Sequence, residues 1–433
     1  MSHRLRTDRL FGLVALAVGG AIGSASPAHA QFLEPNVQVL YTLQPEAPGF
    51  YGFMASAIGD LNGDGASEFI IGAPRSNAGG TLSGRAYVYS GKDGALLNVV
   101  TGITNNRLGF SVAGVGDVNH DGIPDYAAGG PGRFGFTPGE NGRVVVVSGK
   151  DHSLLYDLAG AAGSFFGYDI NAAGDVNGDT YADLIVGLPL ASPTATFSGQ
   201  VVAISGRDGS TIWSQDGHFE EGSLGTGVSG VGDLDGDGLP EQCVGAAGDP
   251  NHPSGTGQAY VLSGRNGAYL RTLAPKNTAA TFGHFYVHAS EDFNGDRVPD
   301  IYVADFLDTR LGPDTGRGYI FSGNSEDQGA LKIFNGEIAG DSFGAGRPVH
   351  DLDGDKVPEL IISANLSDAG AEDGGKTYLI SGKAGRTLRT FTGTEAAREV
   401  GFDALPLGDV NGDGRVDFLL TGINVAYVVA GDR

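Results

Sequence analysis

Short apolar runs broken by turn residues recur along the whole chain. Their period is that of strands, not of helices. RAYVYSG (85–91), RVVVVSG (143–149), QVVAISG (200–206), QAYVLSG (258–264), RGYIFSG (317–323) and KTYLISG (376–382) each read as a strand that stops at a turn. A shorter apolar run, such as FIIGAP (69–74) or LIVGLP (184–189), precedes each one across a variable loop. A turn such as KDG (92–94) follows and leads to a last short strand, as in ALLNVV (95–100). A small-residue segment opens each unit, as in FMASAIG (53–59) and FSVAGVG (110–116). The pattern therefore predicts four short strands per unit. No window sustains apolar spacing at i, i+3, i+4 and i+7, which excludes a helical solenoid, and the unit is far too long for the rung of a β-helix.

One acidic nonapeptide sits between the first and second strand of every unit. Its copies start at Asp60, Asp117, Asp175, Asp233, Asp292, Asp351 and Asp409, 57 to 59 residues apart. Seven such units fill residues 31–433 as a single domain. The expected fold is all-β, a seven-bladed β-propeller with four antiparallel strands per blade. The last unit stops after its third strand, at AYVVAGDR (426–433), while an unassigned strand, VQVLYTL (37–43), lies near the start. The N-terminal strand is thus predicted to complete the seventh blade and close the ring, removing an exposed edge.

The nonapeptide alternates oxygen donors with turn glycines. Positions one, three, five and nine are Asp60, Asn62, Asp64 and Glu68 in the first loop, with the Ala66 carbonyl at position seven. The corresponding sets are Asp117, Asn119, Asp121, Ile123 and Asp125 in the second, and Asp175, Asn177, Asp179, Tyr181 and Asp183 in the third. The fourth holds Asp233, Asp235, Asp237, Leu239 and Glu241, and the fifth Asp292, Asn294, Asp296, Val298 and Asp300. Asp351, Asp353, Asp355, Val357 and Glu359 form the sixth, and Asp409, Asn411, Asp413, Arg415 and Asp417 the seventh. Hairpin turns alone would explain the glycines. They would not explain three or four carboxylates in nine residues, which repel unless a cation neutralises them. All-oxygen donors without His or Cys fit Ca²⁺ rather than zinc, up to seven ions, one per blade. Glycine at position six (Gly65, Gly122, Gly238, Gly414) suits the sharp turn best; Thr180, Arg297 and Lys356 replace it in the other loops. His120, at position four where the other copies have glycine, reads as an exposed turn residue.

Composition sharpens this picture. The chain has 51 acidic against 27 basic residues, a net charge of −24, which excludes a nucleic-acid partner. Its one cysteine, Cys243, lies in an apolar stretch and is expected to be buried and inert. Residues 1–30 read as a secretory signal peptide, with basic Arg4, Arg6 and Arg9, an apolar segment, and Ala28-His29-Ala30 before the cut. Gly19, Gly20 and Gly23 dilute that segment, so no transmembrane anchor is expected after cleavage. The location implied is secreted, extracellular or in the cell envelope.

Taken together, Leu108-Gly109, Phe166-Gly167, Leu224-Gly225, Phe282-Gly283 and Phe343-Gly344, the acidic loops, and Gly72-Ala73-Pro74 resemble the FG-GAP repeat. That repeat builds the seven-bladed propeller of integrin α-chains and related secreted proteins. The resemblance implies a Ca²⁺-binding propeller used in adhesion or recognition. Gly-Ala-Pro decays along the chain, to Gly-Gly-Pro (129–131), Gly-Leu-Pro (187–189) and Gly-Ala-Ala (245–247), then to VADF (303–306) and SAN (363–365).

A catalytic centre is not expected. Gly340-Asp341-Ser342-Phe343-Gly344 fits G-x-S-x-G, but Ser342 belongs to the repeat's own lead-in. His284 and His288 are four apart with no third ligand. The alternative is an extracellular hydrolase or lyase, acting on glycans, built on a Ca²⁺-stabilised propeller. In an up-and-down blade the acidic loops and KDG-type turns share one face. The variable loops 75–83, 132–141, 190–198, 248–256 and 307–315 share the other, where binding to an extracellular protein or glycan is expected. Arg75, Arg133, Phe134, Phe136 and Arg310 are its candidate contacts, being aromatic or Arg residues.

Overall fold

The structure, a computed structural model, describes residues 31–132, 141–248, 257–273, 281–289, 291–324 and 329–431. They form seven four-stranded antiparallel sheets and no helix. In the first blade the strands are Ala55–Gly59, Glu68–Ala73, Arg85–Tyr89 and Leu96–Thr101, paired in chain order. Burial peaks in the middle of the blade. The second strand is buried at every position and the third at all but its first, the first strand is only partly buried, and the fourth is half-buried with exposed ends. A strand covered on both faces can be a continuous apolar run, which is why Phe69-Ile70-Ile71 carries no polar alternation. The first strands of successive blades are neighbours, and that of the seventh blade (Ala404–Gly408) returns to that of the first, so the ring is closed.

The closing blade is built from both ends of the chain, as the sequence predicts. Strand Val39–Leu43 is the outermost strand of the sheet formed by Ala404–Gly408, Asp417–Gly422 and Val425–Val429. Its register pairs Val39 with Val429, Thr42 with Tyr427 and Leu43 with Ala426. The segment before it adds a clasp that sequence reasoning missed. Phe32 is buried edge-on against Phe391 of blade six and Tyr427 of blade seven. The Glu34 carboxylate accepts from Thr390 Oγ1 (2.6 Å), Thr392 Oγ1 (2.7 Å) and Thr392 N (2.8 Å). Burial raises its pKa, but these donations outweigh that and leave it below the usual carboxylate value.

Close approach between blades explains the pairing of Phe-Gly with Gly-Ala-Pro. A Cβ on Gly72 would lie 2.0 Å from the carbonyl oxygen of Gly109 in the next blade, and one on Gly187 would lie 2.0 Å from that of Gly225. Each glycine of the second strand therefore seats the Phe-Gly turn of its neighbour. Where the motif decays, Ala304 and Ser363 occupy this position against Gly344 and Gly401.

The axis is filled. Phe53, Phe110, Tyr168, Phe285 and Phe402 come from five blades and touch one another, with centroids 4.8 to 6.3 Å apart. His284 precedes the first strand of its blade; its Nε2 lies 2.9 Å from Tyr168 Oη, so it joins this aromatic layer and does not share a strand with His288. Adjoining this layer, Arg347 Nη2 donates to Asp403 Oδ2 (2.9 Å) and to the Ala55 carbonyl (2.9 Å), tying blades six, seven and one together. Asp169 accepts from the Val228 amide (2.8 Å); burial lifts its pKa to about 7 against the pull of that amide, the Ile170 amide and Arg347.

Candidate functional site: seven acidic loops on one face

All seven loops have one conformation. Positions four and six are left-handed throughout: φ is +76° at Gly63 and +61° at His120, and at position six +88° at Gly65, +76° at Thr180, +72° at Arg297 and +69° at Lys356. The three loops without glycine at position six are therefore folded like the rest, with strain that glycine would avoid. His120 is an exposed turn residue, as the sequence predicts.

Hydrogen bonds within each loop aim the carboxylates. The Asp60 carboxylate accepts from the amides of Gly63 (2.7 Å), Asp64 (3.2 Å) and Gly65 (3.0 Å). Asn62 Oδ1 accepts from the Asp64 amide, and Asp64 Oδ1 from the Ala66 amide. Glu68 reaches back to accept from the Leu61 amide at 2.6 Å. The same scheme recurs at the first residues Asp117, Asp175, Asp233, Asp292, Asp351 and Asp409. It recurs at the closing residues Asp125, Asp183, Glu241, Asp300, Glu359 and Asp417. The KDG-type turns lie on this face too: Lys92 Nζ donates to the Asp64 carbonyl and Arg265 pairs with Asp237 at 3.0 Å.

The two ends of the loop are electrostatically unlike. At Asp60 burial raises the pKa, but the amides of Gly65, Gly63 and Asp64 outweigh it and hold the acid below its usual range. Asp351 is lowered, first by the Lys356 amide. The ninth residues shift the other way. Burial, with neighbouring loop carboxylates adding, pushes Asp125, Asp183 and Asp300 up to about 6 and Glu359 up to about 7, although main-chain amides oppose it. An acid raised chiefly by burial is a group whose ionised form a bound cation would favour.

The donor set fits a hard divalent cation. In the sixth loop the carboxylates of Asp351, Asp353, Asp355 and Glu359 have oxygens within 4.8 Å of one another, and in the fourth so do Asp233, Asp235 and Asp237. Glu359 Oε1 is buried without a hydrogen-bond partner and its carboxylate belongs to the sixth loop's cluster, whereas Glu241 takes a further backbone hydrogen bond from Gly264 and stands outside the fourth loop's. The loops closed by Asp use both oxygens on the main chain. Asp125 Oδ1, for example, accepts from Gly149 N (2.9 Å), which leaves only its second lone pairs. Among the described residues the sixth loop thus brings four carboxylates together and the fourth three, each of these two loops having an extra acid at position three, Asp353 or Asp235.

The described variable loops, 75–83, 190–198 and 307–315, lie on the opposite face, and residues 133–140 and 249–256 of the other two lie outside the described residues. Arg75 lies over the Phe50 ring, 4.9 Å from its centroid. Arg310 is bound to Asp308, which is buried and also pairs with Arg317 at 3.4 Å. Arg133, Phe134 and Phe136 lie outside the described residues. Ser342 is buried in the loop that leads into strand Phe343–Val349, and its amide donates to the Asp314 carbonyl. With no helix among the described residues, there is no strand-to-helix elbow to expose it. Cys243 is buried, and burial pushes its thiol up to about 12.

Ring, loops and glycine contacts define a class, the β-propeller with an acidic turn in every blade. The chain carries FG-GAP repeats and has integrin α-chains among its homologues. The FG-GAP repeat family model matches residues 53–89 and 166–204. Integrin alpha-IIb of Mus musculus is 31% identical over 192 residues, which is 40% of this chain and 18% of that protein. Integrin alpha pat-2 of Caenorhabditis briggsae is 32% identical over 222 residues, 44% of this chain and 17% of that one. The chain thus spans less than a fifth of the length of these relatives. The crystal structure of BBS1N in complex with ARL6DN superposes with a TM-score of 0.55 at 9% identity, covering 92% of this chain and 97% of that one, and shares the fold alone. No helix among the described residues is long and apolar enough to cross a membrane.

Proposed function

We propose that this protein is a secreted recognition module, a propeller stiffened by Ca²⁺ on one face and binding an extracellular protein or glycan with the other. The observation that carries the reading is the division of the two faces. Seven acidic loops of one conformation share a face with uniform turns, while loops of unequal length and sequence collect opposite them. A monotonous face suits a frame, and variable loops on a rigid frame are where binding resides. The oxygens of positions one, three, five and nine would hold the ion, with the position-seven carbonyl, and would anchor the start of every second strand. The likeness of integrin α-chains to this chain supports the reading as an adhesion or recognition module over catalysis.

The test is an array of extracellular proteins and glycans probed with the purified chain, with Ca²⁺ and with chelator. Binding that depends on Ca²⁺ and is lost on replacing a variable loop is expected. Binding lost only on changing the KDG-side turns would overturn the assignment of faces. Turnover of an arrayed glycan would favour the hydrolase reading.

A further inference from the structure

At three seams between successive blades an aromatic ring makes the same contact; Asn98, Arg271 and Arg389 hold the equivalent position at three others. That position of the outer strand reaches over the turn that follows the third strand of the next blade. Tyr41 donates to the Gly91 carbonyl, Tyr156 Oη to that of Gly206 (2.7 Å) and Trp213 Nε1 to that of Gly264 (2.6 Å). Each ring also covers the glycine of that turn. A Cβ on Gly94 would lie 2.7 Å from the Tyr41 ring, one on Gly209 3.0 Å from Tyr156, and one on Gly267 2.6 Å from Trp213.

Between blades five and six this position is Lys332. Its ammonium reaches the equivalent carbonyl, that of Gly382, but no ring comes with it. A Cβ on Gly385 would meet nothing within 4 Å. The space a ring fills at those three seams is here a cleft of about 420 Å³, walled by Phe334, Phe343 and Tyr378 and floored by the Gly385 turn. That is within the range of pockets for small organic groups. Glu337 stands at its far end, where its Oε2 accepts from Lys376 Nζ and Tyr378 Oη, both at 3.0 Å. Three large apolar side chains are exposed on or beside this same outer strand: Leu331 (43%), Ile333 (48%) and Ile338 (56%).

We propose that this cleft is a second binding site, which takes an aromatic ring bearing a hydrogen-bond donor, of the kind a tyrosine or tryptophan side chain of a partner protein presents. The incoming ring would lie on the Gly385 turn as Tyr41, Tyr156 and Trp213 lie on theirs. The Lys332 ammonium supplies a cation for its face, and Glu337 an acceptor for its O–H or N–H. Leu331, Ile333 and Ile338 would cover the apolar residues flanking the anchor. The site lies on the rim between two blades, so it is independent of the variable-loop face.

The probes are 4-methylphenol and 3-methylindole, the two side chains alone, with methylcyclohexane as a donor-free control. Saturation-transfer NMR with the full chain should show both aromatics bound and the control not. Lys332→Trp, which fills the cleft from within, should cut the signal at least tenfold while the melting temperature holds or rises. Absence of binding to the wild-type chain, or equal binding by a folded Lys332→Trp, overturns the proposal. Should that variant not fold, ¹³C-lysine spectra of the wild-type chain decide, with Lys332→Arg giving the assignment. Shifts at Lys332 and Lys383 on adding 3-methylindole support the site, and unmoved resonances of both sink it.

Discussion

Calcium binding to this chain should expel protons, and the number should depend on pH in a way the ninth residues dictate. Glu359 is lifted to about 7 by burial, with Asp353, Asp351 and Asp355 adding. At pH 7 about half of the metal-free molecules therefore carry a proton there, and a cation needs that carboxylate ionised. Asp125, Asp183 and Asp300, lifted to about 6 by burial, each hold roughly a tenth of a proton at pH 7 and about half at pH 6. Filling these four loops should release roughly one proton per chain at pH 7 and more than two at pH 6. Titration calorimetry with Ca²⁺ in two buffers of unlike protonation enthalpy measures this directly. Glu359→Gln should lower the release at pH 7 by about half a proton and change it little at pH 8. Buffer-independent heats at both pH values would refute the reasoning. Stability has a defined sign as well. These folded pKa values stand above the reference values of 3.8 and 4.5, so the metal-free fold holds extra protons between about pH 4 and 7. That contribution is complete below the unfolded pKa and is lost as pH rises through 6 to 7. In chelator the melting temperature should fall across that window, and saturating Ca²⁺ should flatten or reverse the fall.

Thr180→Gly should stabilise the third blade by up to about 1 kcal/mol, because a β-branched residue is strained at φ +76°; a melting temperature that drops would show the strain is relieved elsewhere. Phe32→Ala should cost about 3–5 kcal/mol at the seam of blades six and seven, since the ring is 3% exposed, and limited proteolysis should then cut near residues 31–44. An unchanged melt and digest would dismiss the clasp. Cys243 should resist an aromatic disulfide reagent in native buffer and react at once in denaturant; rapid native labelling is the contrary result.

Blade count, strand order and closure were legible because each rests on a long repeated signal. The apolar run Phe69-Ile70-Ile71 and its six counterparts carry the second strands, and the unpaired strand around Val39–Leu43 has one place to go once the last unit lacks a fourth strand. The positions of the acidic loops were legible for the same reason. Which of their oxygens the main chain takes up was not, since Asp125 uses both on amides while Glu359 Oε1 has no partner. Nor did residue type alone show that Lys356 takes the same left-handed conformation as the glycines at position six. The Phe32 clasp and the axial Arg347–Asp403 pair lie outside the repeat, and a single copy offers no period to read. Lys332 aligns with Tyr156 and Trp213, but so do Asn98, Arg271 and Arg389, so the missing ring alone would not have singled it out.

The pairing of Val39–Leu43 with Val425–Val429 also sets a timetable. These strands are separated by nearly the whole chain, so their contact closes a loop of roughly four hundred residues, the slowest kind to form. Six blades can assemble from local hairpins as the polypeptide emerges. The earlier strand of this pair has to wait for the later one, and in the interval both it and the edge of Val425–Val429 are open to wrong partners. Until they meet, the seventh blade keeps an unsealed edge, so the quality of the finished ring is decided by the last pairing to form.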